Sequence, residues 1–198
     1  INITKSPSTL KYIELLKNDA EEKFILAHEF LIGVTSFFRD KEAFNILQKK
    51  VIPAIVSKKL KDKNSDQIKI WVIACSTGEE AYSLAILFEE YFRAKKINSI
   101  GYKIFATDIN QRSINTGSKG IYHNIEHEVS KERIDNYFVK KDNGYQISPI
   151  IRQNIIFSKH DILNNPPFNK VDFVSCRNML IYMENNIQNQ VLTNIHYA

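Results

Sequence analysis

The chain has 198 residues, 43% of them hydrophobic and 25% charged, with a net charge of +5. These values suit an ordinary globular protein with one good core and a small appendage, and the dispersed lysines do not demand a nucleic-acid partner. No apolar run approaches the roughly 20 residues of a membrane helix, no signal-peptide core opens the chain, and two cysteines, Cys75 and Cys176, cannot build a disulfide framework, which points to a reducing cytoplasm.

Residues 1–32 carry apolar side chains at helical spacing: Leu10, Ile13 and Leu16, then Phe24, Ile25, Ala27, His28 and Leu31. Pro7-Ser8-Thr9 reads as a helix start. A second helix is expected over Ala43–Lys59, bent or interrupted at Pro53, with a solvated loop over Lys58–Gln67. From residue 68 the pattern alternates: strand 68–74, helix 80–95, strand 103–107, and a helix starting near Asn110–Gln111. Such alternation predicts a parallel sheet and an α/β fold. Tyr137–Val139 and Tyr145–Ile147 flank a hairpin turn at Asn143-Gly144. A strand over Ile151–His160, a buried strand over Val171–Cys176 and a helix over Leu180–Ile195 complete the reading.

The strand–turn–helix at 68–83 carries the chemistry. Its strand is apolar and β-branched, as buried parallel strands are. Cys75 to Gly78 are small and let a ligand approach the backbone. This is the nucleotide-binding corner of doubly wound folds, but it lacks GxGxxG. Glu79 and Glu80 stand where a pyrophosphate would sit and would repel it. Carboxylates suit a ligand with hydroxyls and a cationic group, such as a nucleoside bearing a sulfonium.

Several blocks resemble one family: Thr35-Ser-Phe-Phe-Arg39, Ala74-Cys-Ser-Thr-Gly-Glu-Glu-Ala-Tyr-Ser83, Ala106-Thr-Asp-Ile109, Gly120-Ile-Tyr122, Phe157-Ser-Lys-His-Asp161 and Ser175-Cys-Arg-Asn-Met-Leu-Ile-Tyr182. In this order they resemble the CheR-type chemotaxis receptor methyltransferases, protein-glutamate O-methyltransferases dependent on S-adenosylmethionine. The resemblance implies a doubly wound, Rossmann-like sheet, incomplete at its C-terminal end, in a domain over 33–198. It also implies a partial helical domain over 1–32 and a small antiparallel β-subdomain inserted at about 137–160. The chain departs from the family at Gly33, where the family carries Asn, and reads as cut short at both ends.

The resemblance also assigns roles. Ser76, Thr77, Gly78 and Glu79 would line the cofactor, with Glu80 structural. Asp108 ends the second strand as a ribose-binding acid or as the cap of the following helix; Glu79 reads either as a ligand or as a first-turn acid complementing the helix dipole. Arg39, with Thr35, would hold the cofactor carboxylate. Asn178 would meet its amino end, and Arg177 reads as a cofactor contact or as the partner of a helix carboxylate. Asp161 and Ile162 would hold the adenine. Arg39 and Arg177 are the candidates for a part in catalysis. No histidine stands at metal-ligand spacing with the cysteines. Asn165-Pro-Pro-Phe168 matches the signature of DNA adenine methyltransferases, but it precedes its strand and reads as a turn.

The activity so implied is methylation of glutamate side chains on the helical cytoplasmic domain of a chemoreceptor, by a cytoplasmic protein without nucleic acid or membrane insertion. The alternative is a non-catalytic module that binds S-adenosylmethionine or receptor within a larger signalling protein.

Overall fold

The structure is a computed structural model, and it describes residues 8–19, 22, 23, 26, 33–62, 67–142 and 144–198. The chain divides into two compact units, Ile1–Val34 and Thr35–Ala198. In the first, helix α1 (Thr9–Asn18) starts where Pro7-Ser8-Thr9 placed it: the Ser8 side chain accepts the Lys11 N–H at 3.3 Å. Pro7 and the later helical positions Phe24, Ile25, Ala27, His28 and Leu31 lie outside the described residues.

The second unit opens with α2 (Lys41–Ile46), which continues through a π-wound stretch, Leu47–Val51, into α3 (Ile52–Lys61). The widened stretch directly precedes Pro53, which has no N–H to donate and whose ring would crowd the carbonyl of Lys49 in a regular helix. The expected loop over Lys58–Gln67 needs correction, because α3 runs to Lys61. Ile52, Val56 and Lys59 share its buried face. The Lys59 stem follows that face and its ammonium reaches Asp172 at 3.0 Å.

Four parallel strands form the main sheet: β1 (Gln67–Ile73), β2 (Gly101–Asp108), and the strands Ile155–Lys159 and Phe173–Cys176. Between β1 and β2 runs α4 (Glu79–Lys95), and after β2 comes α5 (Gln111–Lys119). The period-2 alternation of β1 feeds two cores. Ile68, Ile70 and Val72 pack with α4, while Trp71 and Ile73 pack with Ile162 and Val191 on the other face. Both faces are covered, which is why the strand reads as a nearly continuous apolar run.

A second, antiparallel sheet contains β3 (Ile121–Tyr122), β4 (Phe138–Lys141) and β5 (Gly144–Ile147), in the order β3-β5-β4. Short helices α6 (Lys131–Tyr137) and α7 (Pro149–Arg152) flank it. The hairpin stands where expected, although Asn143 of its turn lies outside the described residues. The subdomain boundary of 137–160 is corrected. Ile155–Lys159, now β6, pairs in parallel with β2 from Ile104↔Ile155 to Asp108↔Lys159, and the small sheet gains β3 instead. An apolar run such as Ile155-Ile-Phe157 suits either sheet, and only long-range pairing decides between them.

With Phe173–Cys176 as β7, the main sheet has the order β6-β2-β1-β7. The chain winds outward from β1 to β6, then crosses back to β7 on the other side of β1. That reversal is a topological switch point at the C-terminal ends of β1 and β7, and it is in the crevice at such a point that open α/β sheets bind ligands. The last helix, α8 (Asn185–His196), packs Val191 under Trp71. Among the described residues no helix is long and apolar enough to cross a membrane.

Candidate functional site

The turn after β1 sits in the crevice and is held from every side. Cys75 donates its N–H to the Thr107 carbonyl at 2.9 Å, Gly78 donates to the Cys75 carbonyl at 2.9 Å, and Ser76 donates to Asp108 Oδ2 at 2.8 Å. Gly78 has φ +98°, and a Cβ there would lie 2.8 Å from the Phe157 ring, so only glycine fits. Asp108 also accepts the Asn110 N–H at Oδ1, 2.8 Å away. The cap of α5 is Asn110, which accepts from Arg112 and Ser113. Asp108 is therefore not that cap; it shapes the turn, and each oxygen keeps a lone pair.

Glu79 and Glu80 have different partners. The Glu79 carboxylate accepts the Thr77 hydroxyl at 2.7 and 2.9 Å, and burial raises its pKa against the pull of that bond. Glu80 is also pushed up by burial, and it ties neighbouring elements together: Ser175 on β7 donates to it at 2.6 Å and Arg177 at 3.4 Å.

Residues 35–40 close over the same edge. Phe37 and Phe38 are buried, as anticipated. The Phe37 N–H reaches Glu128 Oε2 at 2.7 Å, and the Phe38 N–H reaches Ser83 Oγ at 3.0 Å, in the first turns of α4. Arg177 donates to the Arg39 carbonyl at 2.8 Å and pairs with Asp40 and Glu80. Of its two readings, Arg177 takes the partner of a helix carboxylate, and it also clasps the Arg39 turn. Thr35 and Arg39 are half-buried, and Asn178 is exposed with φ +57°.

Asp161 follows β6 beside Asp108, whose carbonyl accepts the His160 N–H at 3.0 Å. Its carboxylate organises its own turn, accepting the Leu163 N–H at 2.9 Å and the Asn164 side chain at 2.7 Å. Those bonds hold its pKa below the usual range although desolvation opposes them. Ile162 is buried in the Trp71 core. Phe168 stacks on Phe105 with ring centroids 4.7 Å apart, so Asn165-Pro-Pro-Phe168 is a turn pinned to the sheet.

Among the described residues, eight non-glycine positions have positive φ, and five of them (Phe38, Asp40, Ala74, Ser76 and Asn178) lie in these loops. Strain concentrated at one edge marks a site whose geometry the fold enforces. The amides of Cys75, Ser76 and Gly78 are all taken internally and are not offered to an anion. What it presents are the carboxylates of Glu79 and Asp108 and the hydroxyls of Ser76 and Thr77. That donor set fits a ligand with ribose hydroxyls and a positive centre, and does not fit a pyrophosphate.

Residues 33–198 match the family model described as CheR methyltransferase, SAM binding domain. The chain belongs to this family. S-adenosylmethionine is accordingly the cofactor of this CheR domain, and the acidic crevice fits it. Similar proteins include a chemotaxis protein methyltransferase of Listeria monocytogenes, 33% identical, with 87% of this chain and 62% of that protein covered. Another, from Borreliella burgdorferi, is 30% identical, with 96% of this chain and 64% of that one covered. An uncharacterized 104.1 kDa protein of Rhodobacter capsulatus is 38% identical over the whole chain, which spans 20% of it. The chain thus spans less than two thirds of these relatives. A solved carbon methyltransferase, DszA, shares the fold at TM-score 0.51 and 12% identity, with 79% of this chain and 32% of that one covered.

Several supports of the CheR site have no role in the sequence reading: Ser83, Glu128, Ser175, Phe157 and Tyr122. All but Glu128 stand in blocks that carry the family resemblance. Their work is visible only once β3, β6 and the turn are brought together.

Proposed function

We propose that the whole protein transfers the methyl group of S-adenosylmethionine to glutamate side chains of a chemoreceptor's cytoplasmic domain, forming methyl esters in the cytoplasm. The observation that carries the reading is the acid-lined crevice in a chain of the CheR family; relatives named chemotaxis protein methyltransferases supply the substrate class. S-adenosylmethionine supplies an electrophilic methyl on a sulfonium. Asp108 and Glu79 accept hydroxyls of the adenosyl group, and Ser76 to Gly78 allow close approach. Thr35, Arg39 and Asn178 would hold the amino-acid end, and Asp161 would border the adenine, with Ile162 anchoring that turn in the Trp71 core. Arg39 would serve the reacting end, with Arg177 holding its turn. An acceptor glutamate, with an ordinary pKa of about 4.3, is already ionised at neutral pH, so no general base is needed. The protein's contribution is alignment and desolvation. Lys140, Lys141 and Arg152 offer positive charge to an acidic receptor helix.

The test uses labelled methyl donor, the whole protein and receptor cytoplasmic domains, followed by alkali. Label released by alkali supports ester formation on glutamate. Label that resists alkali, or that enters DNA, overturns it. Tight cofactor binding with no transfer would instead assign a binding module.

A further inference from the structure

The Gly120-Ile-Tyr122 block lies outside the ligand crevice, on the small sheet, yet its tyrosine reaches into the cofactor turn. Tyr122 is buried, and its hydroxyl donates to the Thr77 carbonyl at 2.6 Å. The Thr77–Gly78 peptide is therefore gripped at both ends. Its carbonyl is held by Tyr122 and its N–H by the Cys75 carbonyl at 2.9 Å. Rotation of that peptide would break both bonds. Thr77 in turn donates to Glu79 through its own hydroxyl.

The ring is as firmly placed as the hydroxyl. It meets Phe37 edge-on at 4.9 Å and Tyr82 at 5.9 Å, and Phe37 also meets Phe138 on β4 at 5.6 Å. In register, Tyr122 pairs with Tyr145 on β5. Burial and the nearby Glu79 charge both keep the phenol protonated, so it remains a donor. One side chain on the small sheet thus touches two of the blocks that form the crevice.

We propose that Tyr122 is a positioning residue: its hydroxyl fixes the Thr77–Gly78 peptide and, through Thr77, the orientation of the Glu79 carboxylate toward the cofactor. This rests on the reading that the turn contacts S-adenosylmethionine. The ring packing alone would be served equally by phenylalanine; the hydroxyl is what reaches the turn.

The test compares Tyr122→Phe with Tyr145→Phe, which removes a hydroxyl from the paired strand whose partner is Glu126. Calorimetric titration with S-adenosylhomocysteine and amide exchange on the ligand-free protein are the two readouts. Tyr122→Phe should weaken binding roughly tenfold, as loss of a buried hydrogen-bond partner would, and speed exchange at the Gly78 amide. Tyr145→Phe should leave both unchanged. Wild-type affinity with unchanged Gly78 protection in Tyr122→Phe overturns the proposal, as do equal losses in the two variants. A wild-type protein that binds no S-adenosylhomocysteine refutes the cofactor reading of the turn, and the role of Tyr122 toward Glu79 with it. Faster Gly78 exchange in Tyr122→Phe would then show the grip on the peptide alone.

Discussion

Replacing Asp108 with alanine probes the turn and the cofactor contact together. The carboxylate accepts two backbone N–H groups, from Ser76 and Asn110, each at 2.8 Å. Hydrogen bonds to a charged group contribute about 1.5–3 kcal/mol each. Both amides are only partly buried, so water replaces some of the loss and the lower end applies. Asp108→Ala should therefore destabilise the Thr35–Ala198 unit by about 3 kcal/mol. Asp108→Asn, which keeps one acceptor oxygen, should lose about half of that. With a urea m-value of about 2 kcal/mol/M, the midpoint falls by about 1.5 M for alanine. Trp71 is the single tryptophan, fully buried and bonded through Nε1 to Thr107 at 2.8 Å, one residue from Asp108. Its fluorescence reports unfolding of this unit directly. Binding of S-adenosylhomocysteine, measured well below the midpoint, should fall more in alanine than in asparagine. An alanine variant with an unmoved urea midpoint would show that Asp108 does not hold the turn. Unchanged affinity would remove it from the cofactor site.

Burial raises the Glu79 pKa above the ordinary 4.5, so between that value and the raised one the folded state binds the extra proton, and stability falls as pH rises through the window. Glu79→Gln should thus be more stable than wild type at pH 7, with the advantage gone below about pH 4.5 by thermal melts, while cofactor affinity drops. Gly78→Ala places a Cβ 2.8 Å from the Phe157 ring at φ +98° and should lose at least about 2 kcal/mol in urea titration; adding Phe157→Leu should restore only the steric share. Both thiols are free, and burial pushes Cys176 up to about 11 and the deeper Cys75 up as well. A thiol reagent at pH 8 should label Cys176 slowly and Cys75 only after unfolding; rapid labelling of Cys75 would contradict its packing.

The repeating pattern of the chain was enough to read most elements. A buried parallel strand is covered on both faces and must be apolar throughout, so β1 announces itself. Glycine at 78 and small residues before it announce the turn, because close backbone approach tolerates little else. Paired glutamates at a helix N-terminus exclude a phosphate ligand on charge alone. These are local properties, and a local sequence carries them.

What the tertiary structure decided is which groups those elements bring together. Ile155–Lys159 is a strand by its own residues, but pairing with β2 rather than with the hairpin is a long-range choice. Lys59 looks solvated in a lysine-rich run; only the helix face and Asp172, far away in sequence, make it buried. Asp108 is legible as a strand-end acid, yet the two amides that it holds come from a turn on either side of it in space. Arg177 was open to two partners until the loop at 38–40 and Glu80 arrived beside it. Periodicity reports which face of an element is buried, but hydrogen-bond partners of high sequence separation leave no mark on that period, and here they are what shape the site.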